Sequence, residues 1–170
     1  IKGIGKFTTA MIFIDEIYKN KKNKEQFVFT INTDENRPAM IDDIRFSINQ
    51  ISLTNSSSNQ KSFMIIDNVD NLNFNSFNAL LKTLEEPPKN TVILIISHDI
   101  QKIPKTIVSR CTTIKFNCLK KQEVKEHCDI NNIDITNFDL EKNYEFYGGS
   151  IEKLLFFVNG NGVKLINQLK

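Results

Sequence analysis

The chain has 170 residues, 40% of them hydrophobic and 25% charged, with a formal net charge of +2. That is enough for one good core, or one domain with a small appendage. So small a net charge excludes any case for nucleic-acid binding built on global electrostatics, and no signal peptide or apolar run of transmembrane length is visible.

The basic residues are nearly all Lys; Arg37, Arg45 and Arg110 are the exceptions. Each Arg carries a planar, five-donor fork that Lys cannot replace. Cys111, Cys118 and Cys128 match neither a zinc ribbon nor a disulfide framework, and read as reduced thiols in a cytosolic protein.

The first stretch, Ile1-Lys2-Gly3-Ile4-Gly5-Lys6-Phe7-Thr8, leads into an apolar-rich helix from Ala10 to Tyr18. A phosphate-binding loop reads G-x-x-x-x-G-K-[ST], its backbone N–H groups cradling phosphates and its Lys reaching the terminal ones. Gly5-Lys6 fit that pattern, the first Gly would fall before Ile1, and Phe7 stands where a hydroxyl should hold Mg²⁺. A Gly-Lys pair also reads simply as a turn before a helix. Thr8 offers a substitute hydroxyl. The start at Ile1, inside this pattern and without its preceding strand, reads as a truncated protein.

Lys19 to Glu25 is a charge run expected to be a solvated turn, Gln26 to Asn32 a strand, and Asp34 to Pro38 a loop. Ile41, Ile44, Ile48 and Ile51 share one face of a helix from Ile41 to Leu53, with Asp42-Asp43 in its first turn. A Ser/Asn-rich loop, Asn55 to Lys61, follows.

Phe63 to Ile66 and Val92 to Ile96 are continuous apolar runs, as strands of a parallel sheet covered on both faces require. Between them Phe74, Phe77, Leu80, Leu81 and Leu84 recur at helical spacing, stopped by Pro87-Pro88. Polar residues collect at both strand ends, Asp67-Asn68-Val69-Asp70 and Ser97-His98-Asp99, the edge where open α/β sheets bind ligands. Asp67 is placed to order Mg²⁺ and reads equally as a turn cap; Asn68 cannot polarise a water, because an amide accepts no proton. Ser97 is placed to touch a γ-phosphate, or to bond the backbone at a strand end.

Ile103 to Val108 predicts a short helix, with Arg110 between Ser109 and Cys111 and a strand over Thr112 to Phe116. An Arg there projects into a neighbouring subunit's phosphate site, or forms an ordinary surface ion pair. Beyond Leu119 the texture is helical: Lys120 to Cys128, Phe138 to Tyr147, and a helix from Ile151 to Val158 capped by Gly148-Gly149-Ser150. Val163 to Lys170 begins another element.

Asn78-Ala79-Leu80-Leu81-Lys82-Thr83-Leu84-Glu85-Glu86-Pro87-Pro88, taken with Ser109-Arg110-Cys111, closely resembles the AAA+ clamp-loader family of the bacterial replicative DNA polymerase, DNA polymerase III. The resemblance covers Gly3 to Phe116 and Leu119 to about Asn159. It implies an α/β fold: a P-loop, RecA-like core with a parallel sheet flanked by helices over residues 1–117, then a small all-helical lid over 118–170. It also implies a carboxyl-terminal collar domain, which this sequence does not include. Arg110 becomes a finger acting in trans, and Gly3, Gly5, Lys6, Thr8, Asp67, Ser97 and Lys153 a degenerate nucleotide site, with ATP or ADP as candidate ligands. Lys153 falls where the lid's second sensor Arg is expected and keeps charge without the fork. No Cys precedes Cys111, so the zinc module of many members is not expected.

Family members of the gamma/tau type carry Lys-Thr or Lys-Ser in the loop and Asp-Glu at the strand end. Lys6-Phe7 and Asp67-Asn68 depart from both while Arg110 is kept, a combination similar to the delta prime type. The expected role is therefore a subunit without ATPase activity of its own. Its expected partners are gamma/tau and delta subunits and, indirectly, the sliding clamp and primer-template DNA, in the bacterial cytoplasm and away from membranes. The rivals are an active gamma/tau-type ATPase using Thr8 and Asp67, and a stand-alone nucleotide-binding regulator.

Overall fold

The computed structural model describes residues 1–19, 24–33, 41–57, 60–136 and 138–159. The loop expected over Asp34 to Pro38 and the element expected over Val163 to Lys170 lie outside them. The chain forms two compact units, one of Phe7–Ile114 and one of Ile1–Lys6 with the chain from Lys115 onward.

The larger unit is built on three parallel strands, β1 (Val28–Asn32), β2 (Ser62–Asp67) and β3 (Thr91–Ile95), in the order β1-β2-β3. Val28 pairs with Phe63, and Phe63 with Val92. Because β2 is central and helices cover both its faces, its apolar run cannot alternate with polar residues. Phe63, Met64, Ile65 and Ile66 are all fully buried. Successive side chains point to opposite faces. Met64 and Ile66 therefore join Ile31 and the helices α2 (Ile41–Ser57) and α3 (Phe74–Glu85), through Ile44, Ile51, Phe77 and Leu80. Phe63 and Ile65 pack instead with Ile14 and Tyr18 beside Phe27, on the side of α1 (Lys6–Ile17). Each such side chain contributes about 1.5–3 kcal/mol on burial.

α2 runs four residues beyond the expected Leu53, into the Ser/Asn-rich stretch. Ser52 and Ser56 donate back to the carbonyls of Ile48 and Ser52, so their hydroxyls are met within the helix rather than breaking it. α3 begins at Asn73, whose side chain accepts from the Ser76 N–H at 2.9 Å, and ends before Pro87-Pro88. Phe74, expected on its inner face, is 76% exposed, because it precedes the stripe that Phe77 and Leu80 set. β3, expected to be covered on both faces, is half-buried throughout and pairs with β2.

Thr112 to Phe116 is not a strand. The segment has the alternation of one, but no described backbone pairs with it, and residues 112–117 are all exposed. A strand needs a ladder partner more than it needs a pattern.

The smaller unit contains α5 (Lys121–Ile130), the single turn α6 (Tyr144–Tyr147) and α7 (Ile151–Val158) around Val124, Cys128, Phe138, Tyr147 and Leu154. Before α5, the short helix α4 (Lys105–Val108) closes the larger unit. The helix expected from Phe138 to Tyr147 forms only in its last four residues. Asp139 accepts from the N–H groups of Glu141 and Lys142, each at 3.1 Å, and turns the chain locally in place of a helical start. Among the described residues this unit contains no strand.

Candidate functional site at the strand ends and the Ser-Arg-Cys turn

The amino-terminal loop is shaped by two glycines in the left-handed region, Gly3 at φ +73° and Gly5 at φ +84°. Gly3 is there for closeness as well: a Cβ on it would fall 2.4 Å from the Glu152 Cβ and 2.6 Å from the Ser150 hydroxyl. Its carbonyl accepts from the Ile151 N–H at 2.9 Å, the Ser150 hydroxyl donates to the Lys2 carbonyl at 2.8 Å, and Lys2 pairs with Glu152 at 3.1 Å. The loop thus rests on the first turn of α7. Lys6, whose amine would reach a phosphate, donates to the Ile1 carbonyl. Lys153 is exposed, one turn into α7, and its N–H donates to the Ser150 hydroxyl. Phe7 packs against the Phe63 and Ile65 side of the sheet, and Thr8 is exposed on α1.

The carboxyl ends of β2 and β3 are tied together by a polar network. Asp67 accepts from the N–H of its neighbour Asn68 at 2.9 Å, and the Thr33 hydroxyl donates to the Asp67 carbonyl at 3.1 Å and to that of Asn68. Asn68 turns the chain at φ +54°, a conformation Asn tolerates better than most residues, and its amide oxygen meets the His98 ring. Asp70 does most of the joining. It accepts from the Ser97 hydroxyl, the His98 N–H at 2.7 Å and the Asp99 N–H at 3.2 Å. Ser97 also accepts from the Asp99 N–H at 3.1 Å. The structure therefore brings Asp67 and Ser97 to one edge, with each already hydrogen-bonded within the chain.

Arg110 follows α4, with its N–H on the Ile107 carbonyl at 3.0 Å. Ser109 donates to the Thr106 carbonyl at 3.1 Å, and Cys111 packs against the core, where burial pushes its thiol up from the ordinary range. The tripeptide thus turns the chain with Ser, plugs it with Cys and sends Arg outward. One guanidinium nitrogen donates to the Thr106 carbonyl at 2.9 Å and the other to Glu85 at 2.7 Å. The Arg110 and Glu85 side chains are 38% and 46% exposed. The sequence reading singled out neither Glu85 nor Asp70: the pairings span 25 and 27 residues, and nothing local marks either carboxylate as the acceptor.

The structure is α/β, a three-stranded parallel sheet flanked by helices with polar residues at the carboxyl ends of its strands, and it matches a clamp-loader-like AAA+ fold. The crystal structure of a DNA polymerase III gamma subunit-related protein from Thermotoga maritima superposes with a TM-score of 0.55 at 22% identity, over 93% of this chain and 51% of that one. The protein-family model described as DNA polymerase III, delta subunit, matches residues 16–120, more than half of the 170 residues, and the chain belongs to that family. It is 44% identical over 84 residues to DNA polymerase III subunit gamma of Buchnera aphidicola from Schizaphis graminum, covering 49% of this chain and 23% of that protein. It is 38% identical over 66 residues to DNA polymerase III subunit delta′ of Bacillus subtilis, covering 39% of this chain and 20% of that protein. The matched stretch is thus about a quarter of the gamma relative's length and a fifth of the delta′ relative's.

Proposed function

We propose that this chain is a delta prime-like clamp-loader subunit that hydrolyses no ATP itself and lends Arg110 to a neighbouring subunit's ATP site. What supports the reading is a divided pattern: by the resemblance, Phe7 and Asn68 fall where a metal-holding hydroxyl and a water-polarising carboxylate would be, while Arg110 is partly exposed at the end of a short helix. The residues present do not fit a hydrolytic Mg²⁺–nucleotide centre. Phe7 offers a cation no side-chain oxygen and packs against the core, Asn68 accepts no proton from water, and Lys6 is bonded to the Ile1 carbonyl.

In this reading residues 1–117 serve as the AAA+ core and 118–170 as the lid. The partners are gamma/tau and delta subunits, and hydrolysis in a gamma/tau neighbour releases the sliding clamp on primed DNA. DNA is reached through the assembly, by Lys on phosphates rather than by base readout. Such a subunit works in the bacterial cytoplasm; among the described residues no helix is long and apolar enough to cross a membrane. The second reading, an active gamma/tau-type ATPase using Thr8 and Asp67, draws its support from the relatives named gamma and tau.

Two measurements test the proposal. The purified chain is expected to show no ATPase above background, and turnover that vanishes on Lys6→Ala would establish the second reading instead. In a reconstituted loader, Arg110→Lys keeps the charge but loses the fork, and is expected to slow ATP hydrolysis by the partner subunits while the complex still assembles. A trans Arg contributes on the order of 10³-fold to such rates. A destabilised but fully stimulating variant would refute the role.

A further inference from the structure

We infer that Glu85 is the positioning residue for Arg110: it fixes the plane of the guanidinium so that the rest of the fork faces outward, ready for an anion on a partner. The inference rests on the trans role proposed for Arg110. It starts from an oddity of placement. Glu85 is the last residue of α3, where a carboxylate meets the negative end of the helix dipole and is disfavoured. Nothing in helix formation calls for an acid there.

What it does instead is accept from one Arg110 nitrogen at 2.7 Å, while the other donates to the Thr106 carbonyl at 2.9 Å. A guanidinium has five donors in a rigid plane, so two anchors in different directions determine its orientation and leave the remaining N–H groups for a ligand. Both anchors are themselves fixed. Thr106 belongs to α4, and Pro87-Pro88 hold the end of α3 in place. α3 and α4 share one core through Phe77, Leu80 and Ile107, with Leu84, Val108 and Cys111 packed against it. The side chain is thus half-exposed yet held, and the rotamer freedom that a long Arg would lose on meeting a phosphate is already given up on folding. Glu85 itself touches no substrate.

The test is a double-mutant cycle in the reconstituted loader, reading partner ATP hydrolysis per assembled complex. Arg110→Ala is expected to lower kcat by about 10³-fold. Glu85→Ala is expected to lower it by about tenfold at unchanged KM for ATP, the penalty for a misplaced but intact group. Glu85→Gln keeps an acceptor oxygen and is expected to recover most of the rate. The double variant is expected to be no slower than Arg110→Ala alone, because Glu85 acts only through Arg110. If Arg110→Ala is slow while Glu85→Ala matches or exceeds wild type, the inference falls and the trans Arg survives. If Arg110→Ala keeps full activity, the trans Arg itself falls. Additive losses in the double variant would make Glu85 a structural residue and overturn the inference. Should Glu85→Ala fail to assemble, Glu85→Gln at wild-type rate supports positioning by the acceptor, and Glu85→Gln as slow as Arg110→Ala refutes it.

Discussion

Asp70 shows how much a single carboxylate can hold. It collects a hydroxyl and two backbone N–H groups from the segment after β3, joining the ends of two parallel strands that also meet there through Asn68 and the His98 ring and through the Val69 N–H on the Ile96 carbonyl. Removing it leaves those donors without their acceptor, and hydrogen bonds to a charged group contribute about 1.5–3 kcal/mol each. Asp70→Ala is therefore expected to cost about 2–4 kcal/mol of stability, and Asp70→Asn, which keeps one acceptor oxygen, about half of that. Urea midpoints at constant m-value measure both; equal stability of Asp70→Ala and wild type would show that the network is ornamental. The Asp67 carboxylate, one turn earlier, accepts from its neighbour's N–H, and the loss of that one bond is expected to cost less. The residue that attracted the sequence argument is thus not the one that holds the edge together.

Among the elements, α3 is the clearest case of local chemistry deciding structure. Asn73 caps it, Phe77 and Leu80 bury it, and two prolines end it. Asn73→Ala is expected to cost about 1 kcal/mol and Leu80→Ala about 2–5 kcal/mol. Phe74→Ser, at a position 76% exposed, is expected to change stability by less than about 0.5 kcal/mol. Thermal melts of the three variants check the order, and a costly Phe74→Ser would contradict the burial. Such elements were legible because their information is local: continuous apolar runs for β2, helical spacing for α2 and α3, Gly148-Gly149-Ser150 before α7. Where a partner decides the outcome, the pattern failed. Thr112 to Phe116 alternates without pairing to any described strand, and Phe138 to Asn143 yields to the turn that Asp139 makes. The same limit holds at the site. Ser109-Arg110-Cys111 was readable as a motif, but Glu85 as the anchor of Arg110 was not, because that relation exists only once α3 and α4 pack.

At the scale of the whole molecule, two separate cores imply two separate responses to alkali. Tyr147, fully buried in the smaller unit, donates to the Leu140 carbonyl at 3.1 Å, and burial, reinforced by Tyr144, Glu141 and Cys128, pushes its hydroxyl up to about 12. Below about pH 10 the folded and unfolded forms both keep that proton, and the unit has its full stability. From pH 10 to about 12 the unfolded chain releases a proton that the folded unit retains, so stability falls with rising pH, by on the order of 2–3 kcal/mol across the window. Tyr147→Phe is expected to be slightly less stable at pH 8 and to lose less between pH 10 and 12; parallel curves for both proteins would refute this. In the larger unit, burial raises Tyr18 in the same direction. β3 carries a consequence of another kind. Its five residues, Thr91-Val92-Ile93-Leu94-Ile95, hold no charge, and one margin of the strand is paired to β2 while no described strand lies on the other. With no charge along it, nothing electrostatic holds β3 in register, and a one-residue slip against β2 would turn each of its side chains to the opposite face of the sheet. The alignment of the two strands thus rests on shape, Phe63 against Val92 and Ile65 against Leu94, rather than on charge.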